Sequence, residues 1–566
     1  MSELILAIRA GHNASACIGD ATGIRYAIQE ERLRGEKNYW GFPSKAIASC
    51  LAHVGAGPED LAEVVSGERQ VVLRYHSRDD ILHSYARQLE PVGRIRQQVA
   101  MPLVMHLAKD YGQDAFRSEL AGVGLAGARL SFYDHHDSHA ATAYFGLRAD
   151  RSKPLLVLTC DGSGDGVSAT VQVVRDGVSQ RLAETEWANS LGAIYAWVTY
   201  ALGFLPLEHE YKLMGMAAYV DDGVAAREAK LFEEYLGLRP DGLGFVRGHA
   251  MPIPSSGPRL ISDLRGRRFD YVCAGLQRFT EDLLVRWTRA AVRATGVTDV
   301  VVAGGTFMNV KANKRIAELD EVTSFEAFPS CGDETLSLGA YYQAAAKRWG
   351  SDRVQPLSDF YLGDDVTEAE AEQAVAGRGH VVERPSEPEA SVATVLASGE
   401  PVARCVGRME FGARALGNRS ILADPKHGDV VRVINQMVKK RDFWMPFAPV
   451  VSAADADRYL VNPKGLRSPY MMQTFDSRAN FTEFIAAVHN ADLTCRAQIV
   501  PRGHNAGYEA LLREFEARTG RGVLLNTSFN LHGFPIVRTA AEAVDVFERS
   551  GLRWLQVGPY LVRKSG

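Results

Sequence analysis

Leu155-Leu-Val-Leu-Thr-Cys160 runs straight into Asp161-Gly-Ser-Gly-Asp-Gly166. A short apolar run closed by glycines reads as a buried strand. A carboxylate at the carboxyl end of such a strand, followed by glycines, is a usual place for ligand contact. Glycines there let backbone N–H groups approach phosphate oxygens, and a plain tight turn is the alternative. The pattern recurs. Val301-Val-Ala-Gly-Gly-Thr-Phe-Met-Asn309 is a strand that meets Gly304-Gly305 and then a helix, whose amino terminus suits a nucleotide. Ser330-Cys-Gly-Asp-Glu334 again lies between strand and helix.

Working outward, Leu4–Arg9, Ala14–Ile18 and Ile24–Gln29 read as a hairpin-rich opening. Short apolar runs at Leu61–Val65, Arg129–Tyr133, Val300–Ala303 and Val322–Phe325 then alternate with helical segments. Strand–helix alternation predicts an α/β architecture with a mixed sheet. Residues 70–127 look helical and amphipathic and read as an insertion. A break near Gly350–Pro356 follows the expected helix Leu336–Trp349. A second unit then opens with the acidic helix Thr367–Ala376 and the strand Pro401–Gly407. Two domains are expected, 1–350 and 357–566, with no internal repeat and no low-complexity tract. The three strand–Gly–helix sites resemble the superfamily of sugar kinases, heat-shock chaperones and actin (ASKHA), in which a nucleotide lies between two α/β halves.

The totals narrow the class. A net charge of −4 and 23% charged residues give no sign of a bulk nucleic-acid or anionic-membrane partner. Seven scattered cysteines without a CxxC suit a reducing cytoplasm. The chain starts on an apolar strand without a basic n-region or cleavage site, so no signal peptide is expected. Ala188–Leu207 carries no charge and is long enough to prompt a membrane question. Its Asn189, Ser190, Gly192, Thr199, Gly203 and Pro206 favour a buried core helix over a membrane span.

Asp134-His-His-Asp-Ser-His139 starts a helix. His135 and His139, four apart, project from one face, the usual two-ligand spacing for a divalent metal. Solvent-facing or capping histidines are the alternative. Asp161 and Asp333 add carboxylates, although Asp333 could be no more than an N-cap. A mixed N/O set of four suits iron or zinc.

Eleven blocks in order resemble the O-carbamoyltransferase family of nodulation protein U and the antibiotic carbamoyltransferases such as the tobramycin enzyme. They are Gly11-His-Asn-Ala-Ser15, Glu30-Glu-Arg32, His135-His-Asp-Ser-His-Ala140, Asp161-Gly-Ser-Gly164, Lys212-Leu-Met-Gly-Met-Ala217, Gly304-Gly305 through Asn309, and Cys331-Gly-Asp333 in the first part. The second part adds Gly407-Arg-Met-Glu-Phe-Gly-Ala-Arg-Ala-Leu-Gly-Asn-Arg-Ser420, Pro446-Phe-Ala-Pro449, Arg496-Ala-Gln498 and Asn526-Thr-Ser-Phe-Asn530.

The resemblance implies a division of labour. The second domain is similar to the tRNA threonylcarbamoyl-adenylate synthases. It would take carbamoyl phosphate and ATP (with Mg) and make carbamoyl-adenylate. The first would hold that adenylate, with Gly304, Gly305 and Asn309 at it, on a metal that in the family is usually iron. It would pass the carbamoyl to a hydroxyl of a small natural product, as in antibiotic biosynthesis. Arg414, Arg419, Lys439, Arg496, Asn526 and Ser528 would form the carbamoyl phosphate/ATP site, with Lys440 and Arg441 adding charge. His12 would be the base that takes the acceptor's proton, and Glu210 a lesser helper.

Departures are few. Met445 stands where the family carries an arginine, leaving Arg441 or a neighbouring lysine to compensate. Gly533-Phe-Pro535 replaces Gly-Glu-Pro, and Asn13 replaces an aspartate. A tRNA threonylcarbamoyl transferase and a non-catalytic ASKHA nucleotide-binding protein are the competing readings. The identity of the acceptor, and whether the enzyme is a homodimer, stay open at this level.

Overall fold

Apolar strands cluster in the first half of the chain into two sheets of five. Across the first sheet lie Gly23–Gln29, Ser15–Asp20, Leu4–Arg9, Leu61–Ser66 and Leu130–Phe132. Across the second lie Val178–Glu186, Val167–Arg175, Leu155–Gly164, Asp299–Ala303 and Ser324–Ala327. Numbered by chain order within each sheet, both read 3-2-1-4-5. In both, the hairpin strands are antiparallel and the last two parallel. The sequence shows no repeat, yet the topology is one, because what is duplicated is burial and connection order rather than residue identity.

The computed structural model describes residues 3–90, 93, 110–147, 151–439 and 441–565. Two helices of the expected insertion, Arg78–Leu89 and Gln113–Gly122, are among them. Its residues 91, 92 and 94–109, like Lys440, lie outside the described residues. Ala188–Leu207 contains the buried helix Leu191–Ala201. Among the described residues no helix is long and apolar enough to cross a membrane. All seven cysteines are buried free thiols.

The chain forms two compact units. One holds Met1–Glu30 and Asn38–Ser358, the other Asp359–Gly566 together with Glu31–Lys37. The sequence division anticipates no such excursion of seven residues into the second unit.

In the first unit each half ends in a helix that packs on the other half's sheet. His135–Leu147 follows the first sheet's last strand and lies on Leu155–Gly164, Val167–Arg175 and Asp299–Ala303. Leu336–Trp349 follows the second sheet's last strand and lies on Leu4–Arg9, Ser15–Asp20 and Leu61–Ser66. The two helices touch so closely that a Cβ on Gly339 would sit 2.0 Å from the Ser138 carbonyl oxygen. Such crossing brings their amino ends together, and the metal-type residues sit there.

The second unit is built on an eight-stranded mixed sheet. Val402–Cys405, Arg419–Ala423, Val523–Ser528 and Ala448–Ser452 are consecutive neighbours in it. Thus the ends of the arginine-rich string and of the Asn526–Asn530 string are adjacent, with Ser420 paired to Ser528.

Candidate functional site

The first unit gathers His135, His139, Asp161 and Asp333, with one potential ligand atom of each within 4.8 Å of the others. They come from three segments: a helix start, the end of a buried strand, and the turn before Leu336–Trp349. His135 Nε2 is 3.2 Å from Asp161 Oδ2 and 3.8 Å from Asp333 Oδ1; His139 Nε2 is 3.8 and 3.7 Å from the same two atoms. Both ring nitrogens of fully buried His139 lack a hydrogen-bond partner, as does His135 Nδ1. Buried imidazole nitrogens left without partners beside two carboxylates fit a divalent cation, since desolvation of such groups is otherwise uncompensated. Burial opposes charging of His135, but its hydrogen bond to Asp161 and the charges of Asp333 and Asp161 outweigh burial and push it up to about 9.

Supporting groups hold this geometry. Asp165, at φ 51°, accepts the His135 N–H at 2.8 Å and those of Arg69 and Gln70 at 3.0 and 2.7 Å, fixing where the helix begins. A Cβ on Gly164 would lie 2.1 Å from His135 Cγ, so only glycine leaves room for the ring. Arg9, buried at the end of the first strand, donates to Asp333 Oδ2 at 2.7 Å and pairs with Glu68. Burial pushes the Glu68 carboxyl up to about 7 despite Arg9. The third histidine, His136, is structural, bonded to Thr159 Oγ1 and the Val167 carbonyl. Asp165, Arg9 and Glu68 escape the motif reading. For Arg9 a signal existed, a lone charge closing an apolar strand.

His12 faces this cluster electrostatically: the charges of Asp333, Asp161 and Glu208 act on it. Burial dominates and lowers its pKa below the ordinary 6.5, so the imidazole is neutral at pH 7. Its Nε2 has no partner, and its ring meets Trp40 edge-on at 5.4 Å. Glu210 accepts the Leu207 N–H at 2.6 Å and supports that residue's φ of 66°. Its carboxyl is thereby committed to a turn.

Two of the three expected adenylate residues also make contacts within the protein. Asn309 caps the helix Val310–Ala317 and shares two amide hydrogen bonds with Gln277, at 2.9 and 3.0 Å. The Gly305 N–H donates to Asp161 Oδ1 at 3.0 Å, so it positions a ligand carboxylate. Gly304, at φ 99°, turns the chain there.

In the second unit Arg496 stands among like charges. Burial, Arg414 and Arg441 all push Arg496 well below the ordinary guanidinium range, and among the described residues these are the charges that act on it. Arg441 donates to Thr527 Oγ1 at 3.0 Å and lines a cavity of about 660 Å³ with Asn435, Phe443, Ile485 and Asn490. Lys439 is buried at the end of a π-helical turn, Asn435–Lys439, and burial lowers its pKa strongly. Its ammonium donates to the Ser528 carbonyl, to Ser528 Oγ at 3.0 Å and to Asn530 Oδ1 at 2.6 Å. Asn526 donates to the Ala415 carbonyl and Gln498, while its own oxygen is buried without a partner. Arg419 departs from expectation. Fully buried, it donates to the carbonyls of Arg538, Val406, Gly407 and Asp364, which leaves its fork no phosphate to grip. It staples the loop that carries Arg414.

Residues 5–342 match the family profile described as Carbamoyltransferase N-terminus, and residues 393–564 that described as Carbamoyltransferase C-terminus. The chain belongs to the carbamoyltransferase family and is an enzyme of that class. It is 30% identical to nodulation protein NolNO of Sinorhizobium fredii over 98% of this chain and 79% of that one. It is 32% identical to nodulation protein U of Rhizobium tropici, over 95% and 93% of the two chains. Similarity to the 3'-hydroxymethylcephem-O-carbamoyltransferase of Amycolatopsis lactamdurans, 31% identity, spans 45% and 47%.

Proposed function

We propose that this enzyme makes carbamoyl-adenylate from carbamoyl phosphate and ATP in its second unit, and transfers the carbamoyl to a hydroxylated small molecule in its first. The observation that carries this reading is the half-buried Arg496, on which, among the described residues, only the like charges of Arg414 and Arg441 act. Like-charged guanidinium groups are stable together when a polyanion joins them. Carbamoyl phosphate and the ATP phosphates are such anions. Arg441 takes the place of the arginine that Met445 replaces.

The chemistry balances in three steps. Water displaces phosphate from carbamoyl phosphate, giving carbamate and phosphate. The carbamate oxygen attacks the α-phosphorus of ATP, and pyrophosphate leaves. The acceptor oxygen then attacks the carbamoyl carbon, its proton passes to His12 Nε2, and AMP departs. In the last step the neutral, unpartnered His12 is poised to accept a proton. His135, His139, Asp161 and Asp333 would hold one transition metal, iron or zinc by their donor types, and when bound it supplies Lewis-acid polarisation. Arg9 keeps Asp333 ionised and oriented, and Asp165 holds His135 in place.

The test is direct. Purified enzyme given ATP should release pyrophosphate only when carbamoyl phosphate is added, and mass spectrometry should detect carbamoyl-AMP. Pyrophosphate release that ignores carbamoyl phosphate, or none at all in enzyme that still carbamoylates, rules out adenylation.

A further inference from the structure

The Glu30-Glu-Arg32 motif has no part in the chemistry above. In sequence it lies far inside the amino-terminal half, yet Glu31–Lys37 folds as part of the second unit. Arg32 is only 5% exposed, and its guanidinium Nη2 donates to the Gly412 carbonyl at 2.8 Å. Glu31, itself buried, lies 3.2 Å from Arg32 Nη1. Gly412 lies within the irregular stretch 406–418 that carries Arg414, and its φ of 87° is a left-handed turn.

The far end of that stretch is tied differently. Glu410 Oε1 accepts the N–H groups of Leu416, Asn418 and Arg419 at 2.8, 2.8 and 3.1 Å. The loop is therefore fixed by a carboxylate at residues 416–419 and by the Arg32 fork at residue 412, with Arg414 between. Lys37, from the same segment, is near enough for its charge to act on Lys439. A buried guanidinium paired with Glu31 holds the carbonyl it donates to in a fixed place.

We propose that Arg32 is a positioning residue for carbamoyl activation: it anchors the Gly412 end of the Arg414 loop, so the anion site of the second unit is completed by residues 31–37. This deepens the adenylation reading and rests on it for the reaction, while the anchoring itself concerns only the phosphate-binding loop.

Two readouts test it in the full-length enzyme. Losing a hydrogen bond from a charged donor is worth about 10- to 100-fold. Arg32→Ala should therefore raise the KM for carbamoyl phosphate in pyrophosphate release by about 10- to 100-fold. It should equally weaken the thermal stabilisation that inorganic phosphate gives. Transfer from supplied carbamoyl-adenylate should stay within about twofold of wild type, because the machinery of the first unit is untouched. Arg32→Lys keeps a charged donor of shorter reach and should fall between the two.

An unchanged KM and unchanged phosphate response in Arg32→Ala overturn the inference. So do equal losses in both half-reactions with a lowered melting temperature, which mark a general structural role. Should Arg32→Ala not fold, Arg32→Lys decides: a raised KM supports anchoring, a wild-type KM overturns it. If wild-type enzyme releases no pyrophosphate, the adenylation reading fails and the phosphate response alone judges the role of Arg32.

Discussion

The two candidate sites are electrostatic opposites. In the first unit the half-buried carboxylates Asp161 and Asp333 face two buried imidazoles; His135 is hydrogen-bonded to Asp161 and Arg9 donates to Asp333. The second unit sets Arg496, Arg414 and Arg441 against one another with no carboxylate acting on Arg496 among the described residues. The proposed function gives the first site a cation and the second a polyanion. The comparison predicts that the sites fail separately and respond to opposite ligands.

The largest expected effect is at the cation site. His139→Ala removes a ligand whose two nitrogens have no other partner. Metal content, by elemental analysis, should fall from about one per chain to near zero, beyond the about 10- to 100-fold loss typical of mutating an outer partner. Transfer from supplied carbamoyl-adenylate should be lost with it, while carbamoyl-phosphate-dependent pyrophosphate release persists. Loss of both reactions at once would erase the distinction between the sites.

At the anion site the same logic predicts a gain alongside a loss. Arg496→Met removes a desolvated cation that meets only like charges. The apoprotein should melt higher, because replacing an uncompensated buried charge by an apolar chain of similar size is stabilising by up to about 1–4 kcal/mol. Adenylate formation should disappear, and added phosphate should no longer raise the melting temperature. A lower melting temperature without ligand would mean that Arg496 has an internal counter-ion.

His12→Asn should reduce carbamoyl transfer by about 100-fold or more, with metal content and adenylate formation near wild type. Because burial lowers the His12 pKa, the base form persists below pH 6.5. The transfer rate should therefore stay level as pH falls from 7.5 to 6.5, and decline only below that. A decline centred above 6.5 would assign the limb to another group. The smallest effect is expected at Asn309→Ala. Removing a helix cap costs about 1 kcal/mol, seen as a modest fall in melting temperature, with the KM for adenylate little changed. A large KM effect would return Asn309 to the ligand site.

The difference between the sites also explains what could be read from the chain. His135 and His139 were legible because helical spacing alone puts i and i+4 on one face. Arg9, Glu68 and Asp165 were not, since each acts on a partner more than 30 residues away or through a backbone N–H that no side-chain pattern advertises. Arg419 misled for a related reason. An arginine among glycines reads as a phosphate grip, yet burial at the strand start surrounds it with carbonyls and makes it a staple. The duplicated strand order and the Glu31–Lys37 excursion were likewise invisible, because both are facts of connection and packing.

By itself the sequence determined the α/β class and the presence of two units, and it offered residue types that suit a metal and phosphates. Periodicity, strand-closing glycines and ordered motifs are local, and they survive without knowledge of what touches what. Tertiary structure alone decided which groups have no partner. His139, His12 and Arg496 matter because folding takes them out of bulk water, leaves the His139 nitrogens and His12 Nε2 without hydrogen-bond partners, and sets Arg496 among like charges. Desolvation without compensation is a property of position in space, and it is what turns a residue type into a site.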